Sequence, residues 1–200
     1  MAAYSYYSQD YFEDCIMELQ RFLRIYPKDK NLDYAYYLLG IANYEQIVDE
    51  KKDTFAILKA KQYFQYLNQN YPNTEYSIDA TFKINLINDI LAAKELYIGR
   101  YYIDKKKWIP AINRFKNVVN EYDTTIYIEE ALFRLVELYY LLGLKDESMK
   151  YAKLLGYNYQ SSQWYENSYV FFDKKYKKIN RNKQKNNLRK KIKTFLSLDE

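Results

Sequence analysis

The sequence contains no histidine and only one cysteine, Cys15, among its 200 residues. Histidine is the usual general base of enzymes and the most frequent metal ligand, so its absence removes both roles from the chain. One cysteine cannot form a disulfide within the chain, and it cannot build the cysteine clusters of structural zinc sites. Disulfide scaffolds and cysteine-based or histidine-based metal centres are therefore excluded as explanations of this protein.

Glycine and proline are also scarce, with four and three copies. An all-β fold needs turn residues about every ten positions, which this composition does not supply. The sequence also has no run of eighteen apolar residues, so it predicts no membrane-spanning helix. We predict an all-α protein.

Motifs for catalysis are missing as well. The chain has no glycine-rich phosphate loop, no nucleophile elbow and no acidic cluster with metal-ligand spacing. The adjacent acidic pairs Asp49-Glu50 and Glu129-Glu130 point in different directions on a helix, so neither forms a carboxylate dyad. We predict a non-enzyme that needs no cofactor and no metal.

A Tyr-Pro pair repeats along the chain and indicates its organisation. Tyr26-Pro27 recurs as Tyr71-Pro72, and the variants Tyr122-Asp123 and Tyr159-Gln160 follow, each after an amphipathic stretch. The tetratricopeptide pattern can be placed before each pair, with small residues where two helices cross and large ones beside them. The sequence predicts a tetratricopeptide-type array, a right-handed superhelix of antiparallel helix pairs, with units at about 1–28, 32–73, 75–123 and 126–160.

The third unit fits this pattern best. Gly99 and Ala111 occupy its small positions, and Phe115 occupies the large position that follows. Cys15 stands in the same small position as Ala111, which predicts a packing role rather than a reactive thiol. In the second unit about eight residues are inserted near residues 48–55.

One helix is predicted to be unusually long. Proline is absent from Glu75 to about Ile103, and Thr74 can cap the start, so we predict a helix of roughly 28 residues. A further helix over 162–175 would cover the exposed apolar edge of the last unit. The repeat domain then spans residues 1–173, and 176–200 form a basic tail.

Charge is unevenly distributed. Residues 174–200 contain eleven lysines and arginines but two acids, whereas residues 1–173 contain twenty basic and twenty-four acidic residues. Such a tail is attracted to anionic lipid headgroups or to polyanions. Because it contains no base-reading motif, we do not expect nucleic acid as the main partner. The alternative is a cytosolic tetratricopeptide adaptor whose basic tail binds RNA or an acidic partner.

The inner surface of such an array comes from the first helix of each pair. An aromatic groove with a few charges suits an extended peptide, because tyrosine offers both area and a hydroxyl group. Some of these tyrosines could equally be packing residues. The positions predicted to line this peptide groove are Tyr4, Tyr7, Tyr34, Tyr37, Tyr44, Glu45, Arg100, Phe133, Glu137 and Tyr140.

The stretch from Tyr101 to Phe115 predicts a turn followed by a helix. Its three lysines, 105 to 107, fall in the turn, and Pro110 suits the first turn of a helix that begins at about 107–109. Ala111 and Phe115 then face inward. Asn113 and Arg114 are left exposed, pointing away from the packed seam.

Three segments resemble a known family. "NLDYAYYLLGIANYEQI", "NTEYSIDATFKINLINDILAAKELYIGRYYIDKKKWIPAINRFKNVVNEY" and "IEEALFRLVELYYLLGL" are similar to BamD (ComL), the tetratricopeptide lipoproteins of outer-membrane β-barrel assembly in diderm bacteria. The most specific pieces are the helix start at Glu75-Tyr76, the run from Gly99 to Tyr102 and the run from Ala111 to Arg114. The resemblance covers about residues 2–169.

This resemblance implies a lipoprotein on the periplasmic face of the outer membrane. Its partners would be the BamA-type insertase, other subunits of the assembly complex, and unfolded outer-membrane proteins received in an N-terminal groove. Arg114 matches the arginine that the family places near the insertase contact, and Asn113 lies beside it.

Members of the family begin with a signal peptide, a lipidated cysteine and a further helix, none of which precedes this sequence. Cys15 cannot be the lipidated residue, because no apolar leader comes before it. We therefore expect the chain to be truncated or mis-started at its N-terminus, so that the lipid anchor belongs to the full-length protein and is absent from this chain. The basic tail also exceeds what the family resemblance explains.

Overall fold

The structure is a computed structural model that describes residues 2–46, 54–160 and 162–172. Within them it contains nine α-helices and no β-strand, which confirms the predicted all-α class. The helices are α1 (Ala2–Tyr7), α2 (Phe12–Ile25), α3 (Leu32–Glu45), α4 (Phe55–Asn70), α5 (Glu75–Asp104), α6 (Trp108–Glu121), α7 (Ile128–Leu141), α8 (Lys145–Asn158) and α9 (Gln163–Tyr169).

The chain divides into two compact units, residues 1–94 and 95–200, and the division falls inside α5. In unit 1, α1 packs on α2, α2 on α3, and α3 on α4. In unit 2, α6 packs on α7, α7 on α8, and α9 contacts both α7 and α8. Short turns join α1 to α2, α2 to α3, α6 to α7 and α7 to α8, as in antiparallel helix pairs. Most of the predicted insertion, the last residues of the predicted capping helix and the basic tail lie outside the described residues.

The long helix predicted after Thr74 is confirmed. It runs from Glu75 to Asp104, 30 residues. The backbone N–H of Ser77 donates to the Thr74 hydroxyl at 3.2 Å, so Thr74 caps the helix start as expected. Since the described helix contains no proline, nothing in its sequence interrupts the backbone ladder.

The repeated tyrosines mark the ends of helices. At each of these positions the backbone N–H donates to the carbonyl oxygen four residues earlier, at 2.8–3.0 Å, which closes the last turn. A proline directly after such a residue cannot continue the helix, which explains the Tyr-Pro signal. The four tyrosines are Tyr26, Tyr71, Tyr122 and Tyr159, which follow α2, α4, α6 and α8.

The turns after α1, α5 and α7 share one backbone conformation. In each turn a residue with left-handed φ is followed by a residue whose N–H donates to a carbonyl five positions earlier, at 2.9–3.0 Å. This is the Schellman motif, in which glycine is the preferred left-handed residue. The left-handed residues here are Asp10 (φ 61°), Lys106 (φ 55°) and Gly143 (φ 79°).

A glycine-to-aromatic contact holds each of two helix pairs together. Gly40 of α3 lies against the ring of Phe64 of α4, and Gly99 of α5 lies against the ring of Phe115 of α6. Both phenylalanines are fully buried. Cys15 and Ala111, which share one small position of the repeat, are also fully buried, and this confirms the packing role of Cys15.

Gly99→Ala should destabilise the protein by about 1–3 kcal/mol, because an added Cβ would lie 2.6 Å from two carbons of the Phe115 ring. Urea unfolding followed by far-UV circular dichroism measures this change. The double variant Gly99→Ala, Phe115→Leu should recover part of the loss relative to the sum of the two single variants. Strict additivity of the two single changes would contradict the contact.

Lys106→Gly should stabilise the protein by about 0.5–1 kcal/mol, because a side chain in the left-handed region costs more than glycine's extra freedom in the unfolded chain. Lys105→Gly is the matched control, since Lys105 lies next to Lys106 and its φ is not positive. Thermal unfolding of both variants tests the prediction. A gain in Lys105→Gly equal to that in Lys106→Gly would show that the left-handed φ is not the cause.

Candidate functional site

Unit 1 contains a cluster of tyrosines on α3 and α5, and two of them were predicted to line the peptide groove. The rings of Tyr34 and Tyr37, on α3, lie 5.5 Å and 5.2 Å from the ring of Tyr76 on α5. The Tyr37 hydroxyl donates to Asp79 Oδ2 at 2.7 Å. Sequence reasoning named Tyr34 and Tyr37 but missed their partners on α5. Both partners lie in the helix start that carries the family resemblance.

Burial and this hydrogen bond fix the ionisation state of Tyr37. Burial raises the pKa of Tyr37 first, and the hydrogen bond and negative charge of Asp79 raise it further. The phenol therefore remains neutral above its ordinary pKa of 10.0, and its hydroxyl is committed to the carboxylate. Tyr37 can offer a ligand its ring but not a free hydroxyl donor.

A cavity of about 420 Å³ lies between α1, α2 and α3. Two of the predicted groove residues, Tyr4 and Tyr34, line it. Its walls are mainly apolar, with a few polar groups, which is the usual character of a site that holds a side chain. The other lining residues are Ala2, Ala3, Glu18, Leu19, Phe22, Asn31, Ala35 and Leu38.

The remaining predicted residues of unit 1 have separate surroundings. The ring of Tyr7 is half-buried, 5.9 Å from Phe12 and 6.5 Å from Tyr4. Tyr44 is half-buried with the Lys83 ammonium 5.1 Å above its ring, a cation–π arrangement. Glu45 is exposed.

In unit 2 the predicted residues Arg100 and Glu137 belong to a network of ion pairs. Arg100 donates through Nε to Glu130 at 2.8 Å and through a second nitrogen to the other carboxylate oxygen. Arg134 bridges Glu130 and Glu137, at 3.4 Å and 2.7 Å. The hydrogen bonds that Arg100 donates to the Glu130 carboxylate raise the pKa of Arg100. These charges satisfy one another, which explains how Glu130 tolerates near-complete burial.

The structure differs from the predicted groove at Phe133. Phe133 is only 6% exposed, because Trp164 and Phe171 pack on it with ring centroids 5.2 Å and 6.3 Å away. Tyr140 also packs against Phe171, at 5.3 Å, but remains 36% exposed. The segment containing α9 thus covers Phe133 and only part of Tyr140. Phe133 is a packing residue and does not line an accessible groove.

Arg114 is not simply exposed, as the sequence suggested. Its guanidinium lies 3.2 Å and 3.3 Å from the two carboxylate oxygens of Glu95, and the Asn117 amide donates to the same carboxylate at 3.2 Å. Its side chain remains more than one third exposed, whereas that of Glu95 is largely buried. Asn113 is exposed, as predicted. The pair with Glu95 holds the arginine in place while leaving part of it accessible.

The described residues contain neither a membrane-spanning helix nor a group of metal ligands. No described helix has the length and apolarity required to cross a bilayer. In the same residues, no three or more cysteine, aspartate and glutamate side chains are grouped as metal ligands would be. The candidate sites of the described chain are therefore the tyrosine cluster with its cavity in unit 1 and the Arg114 surface in unit 2.

Comparison with protein families shows which family the chain belongs to. The sequence profile of the YfiO family, described as "Outer membrane lipoprotein", matches residues 1–154. The chain belongs to the YfiO family. Membership assigns the chain to the outer membrane, and the resemblance noted in the sequence is confirmed.

Curated relatives carry the name outer membrane protein assembly factor BamD. The protein of Rickettsia prowazekii is 43% identical over 169 residues, which cover 84% of this chain and 67% of the relative. The protein of Caulobacter vibrioides is 41% identical over 84% of this chain and 55% of its own length. That of Neisseria meningitidis serogroup A is 32% identical over 80% of this chain and 64% of its own length. The chain thus spans about half to two thirds of these relatives.

Tyr37→Phe should lower the free energy of unfolding by about 1 kcal/mol at pH 7, because the hydrogen bond to Asp79 is lost. The pKa of Tyr37 is raised above 10.0 in the folded state, so the stabilising contribution of its phenol is complete below pH 10 and declines as the pH rises further. Urea titrations at pH 7 and at about pH 11 should therefore show a smaller difference between wild type and variant at the higher pH. Tyr157→Phe, at a tyrosine that is 85% exposed, serves as the control and should be neutral at both.

Proposed function

We propose that this chain is a non-enzymatic scaffold subunit of the machinery that assembles β-barrel proteins in the outer membrane. It acts on the periplasmic face, where it binds a BamA-type insertase, contacts other subunits of the complex and receives unfolded outer-membrane proteins. Membership in the YfiO family and the names of its curated relatives support this assignment. They give no support to the alternative of a cytosolic adaptor that binds RNA.

The observation that carries the insertase contact is the position of Arg114. The guanidinium is held by Glu95 on the neighbouring helix, so little conformational entropy is lost when a partner binds it. The exposed part of its guanidinium can donate hydrogen bonds to a second carboxylate, since the planar arrangement of its N–H groups matches a carboxylate. Asn113 is exposed in the same turn of α6 and can add a neutral hydrogen bond. An acidic side chain on the insertase is the partner group that this surface fits.

Unfolded clients are assigned to unit 1. The cavity beside Tyr4 and Tyr34 is large enough for an apolar side chain, and the rings of Tyr7, Tyr37 and Tyr44 supply further aromatic area. Outer-membrane strands alternate apolar and polar residues, so an extended client can place alternate side chains against an aromatic surface. The ion-paired residues Arg100 and Glu137 of unit 2, together with Tyr140, are assigned to holding α7 in place rather than to client binding.

Arg114→Glu should reduce recovery of the insertase at least tenfold when the tagged protein is purified from detergent-solubilised membranes and BamA is quantified by immunoblot. The substitution removes the favourable contact with the partner's carboxylate and places two carboxylates opposite each other, which repel. Arg21→Glu is a matched control, because Arg21 is an exposed arginine that pairs only with its helical neighbour Glu18 in the described residues. It should leave recovery unchanged.

Glu95→Gln separates the contact from its support. This variant removes the ion pair but retains Arg114, so most of the insertase should still be recovered. If Arg114→Glu recovered as much insertase as the wild type, the assignment of this surface would be wrong. If Glu95→Gln lost as much as Arg114→Glu, the ion pair rather than the arginine would be the requirement.

A further inference from the structure

Three leucines are exposed together in the turn between α7 and α8. Leu141, Leu142 and Leu144 flank Gly143, and Leu141 and Leu144 are 60% and 50% exposed. We call residues 141–144 the leucine turn. The equivalent turn between α5 and α6 has the same Schellman backbone but contains lysines at positions 105 to 107, all exposed. Lys105 and Lys107 occupy the positions equivalent to Leu142 and Leu144, so the turn backbone does not require leucine there.

Both of these turns lie at the same end of unit 2. Successive helices run antiparallel, so the α5–α6 and α7–α8 turns share one end, and the α6–α7 turn with Ile126 lies at the other. Lys145, the first residue of α8, belongs to the same end as the leucine turn. This end therefore combines exposed leucines with exposed lysines.

The chain also leaves the described region at this end. The rings of Phe171 and Phe172 lie 5.3 Å and 5.8 Å from the ring of Tyr140, which directly precedes the leucine turn. The sequence that follows, residues 174–200, contains eleven lysines and arginines and two acids. A strongly basic segment is thus attached beside the leucine turn.

We propose that this end of unit 2 binds the surface of a bilayer that contains anionic phospholipids. The leucine turn enters the boundary between headgroups and acyl chains, and the basic residues of 174–200 pair with lipid phosphates, supported by Lys105, Lys107 and Lys145. Neither signal is strong alone. A small apolar insertion and a polybasic segment each give weak, reversible binding, and together they give stable binding.

The charges near the leucine turn indicate that the leucines and the basic residues of 174–200 make different contributions to membrane binding. Asp104, Asp146 and Glu147 stand near the lysines of this end and offset most of their charge. Electrostatic attraction must therefore come mainly from residues 174–200, whereas the leucines decide which part of the folded unit meets the bilayer. A turn that projects apolar side chains, rather than a groove that receives them, suits insertion into lipid. A protein of an outer-membrane lipoprotein family works next to a bilayer.

The test is sedimentation of the 200-residue chain with sucrose-loaded vesicles of phosphatidylethanolamine and phosphatidylglycerol, beside vesicles of phosphatidylcholine alone. We expect binding to the anionic vesicles and at least about tenfold weaker binding to the neutral ones. Leu141→Asn, Leu144→Asn should weaken binding to anionic vesicles about tenfold. Ile126→Asn is the matched control: it removes an apolar side chain that is 79% exposed at the opposite end and should bind as the wild type does. Deletion of 174–200 should leave weak binding that depends much less on salt.

Equal binding by the leucine double variant and the wild type would overturn the inference, as would equal binding to neutral vesicles. If the double variant instead changed the oligomeric state by analytical ultracentrifugation and left vesicle binding unchanged, the turn would be a protein contact and the inference would again fail. Circular dichroism of each variant verifies folding. None of these measurements involves the insertase, so loss of this inference would be distinct from loss of the Arg114 contact.

Discussion

The approach of one helix to the next at a glycine is the contact on which the repeat depends. Where Gly40 and Gly99 present only hydrogen, the rings of Phe64 and Phe115 fill the space that a side chain would occupy. This allows the helices of each pair to cross closely and bury their small residues completely. The faces that α3, α5 and α6 then present to solvent follow from this crossing, including the tyrosine cluster and the Arg114 surface.

Sequence patterns predicted the helices well because their causes are local. The Tyr-Pro pairs, Thr74 as a helix cap, and the alternation of small and large residues each act within one helix pair. The side-chain partners were less accessible to prediction, because they come from distant parts of the chain. The pairing of Tyr37 with Asp79 joins residues 42 positions apart, and that of Arg100 with Glu130 joins residues 30 apart.

The error at Phe133 has a similar cause. Its position on α7 predicted a place on the inner side of a first helix, but that side is open only when no further helix follows. Trp164 and Phe171, from a segment predicted merely to cap the array, occupy the space instead. The exposure of an inner-face residue in a repeat protein thus depends on what the chain does after the last repeat.

The charged residues of unit 2 show two ways of using arginine. Arg134 is enclosed between two carboxylates and lies 5.7 Å and 5.8 Å from the rings of Phe133 and Trp164, so its donors serve the interior of the unit. Among the residues that the structure describes, Arg114 has one carboxylate partner, and its side chain is 38% exposed. Arg134 and Arg114 therefore differ in how far their guanidinium groups are enclosed by carboxylates of the same unit.

The common backbone of the turns at Asp10, Lys106 and Gly143 has a consequence for how such a protein can change. Main-chain hydrogen bonds close these turns, so the turn conformation does not depend on contacts made by their side chains. A few substitutions can therefore make one turn basic and another apolar without changing the positions of the helices. Within each unit, these turns can therefore acquire new surface contacts while the packing of the core residues stays the same.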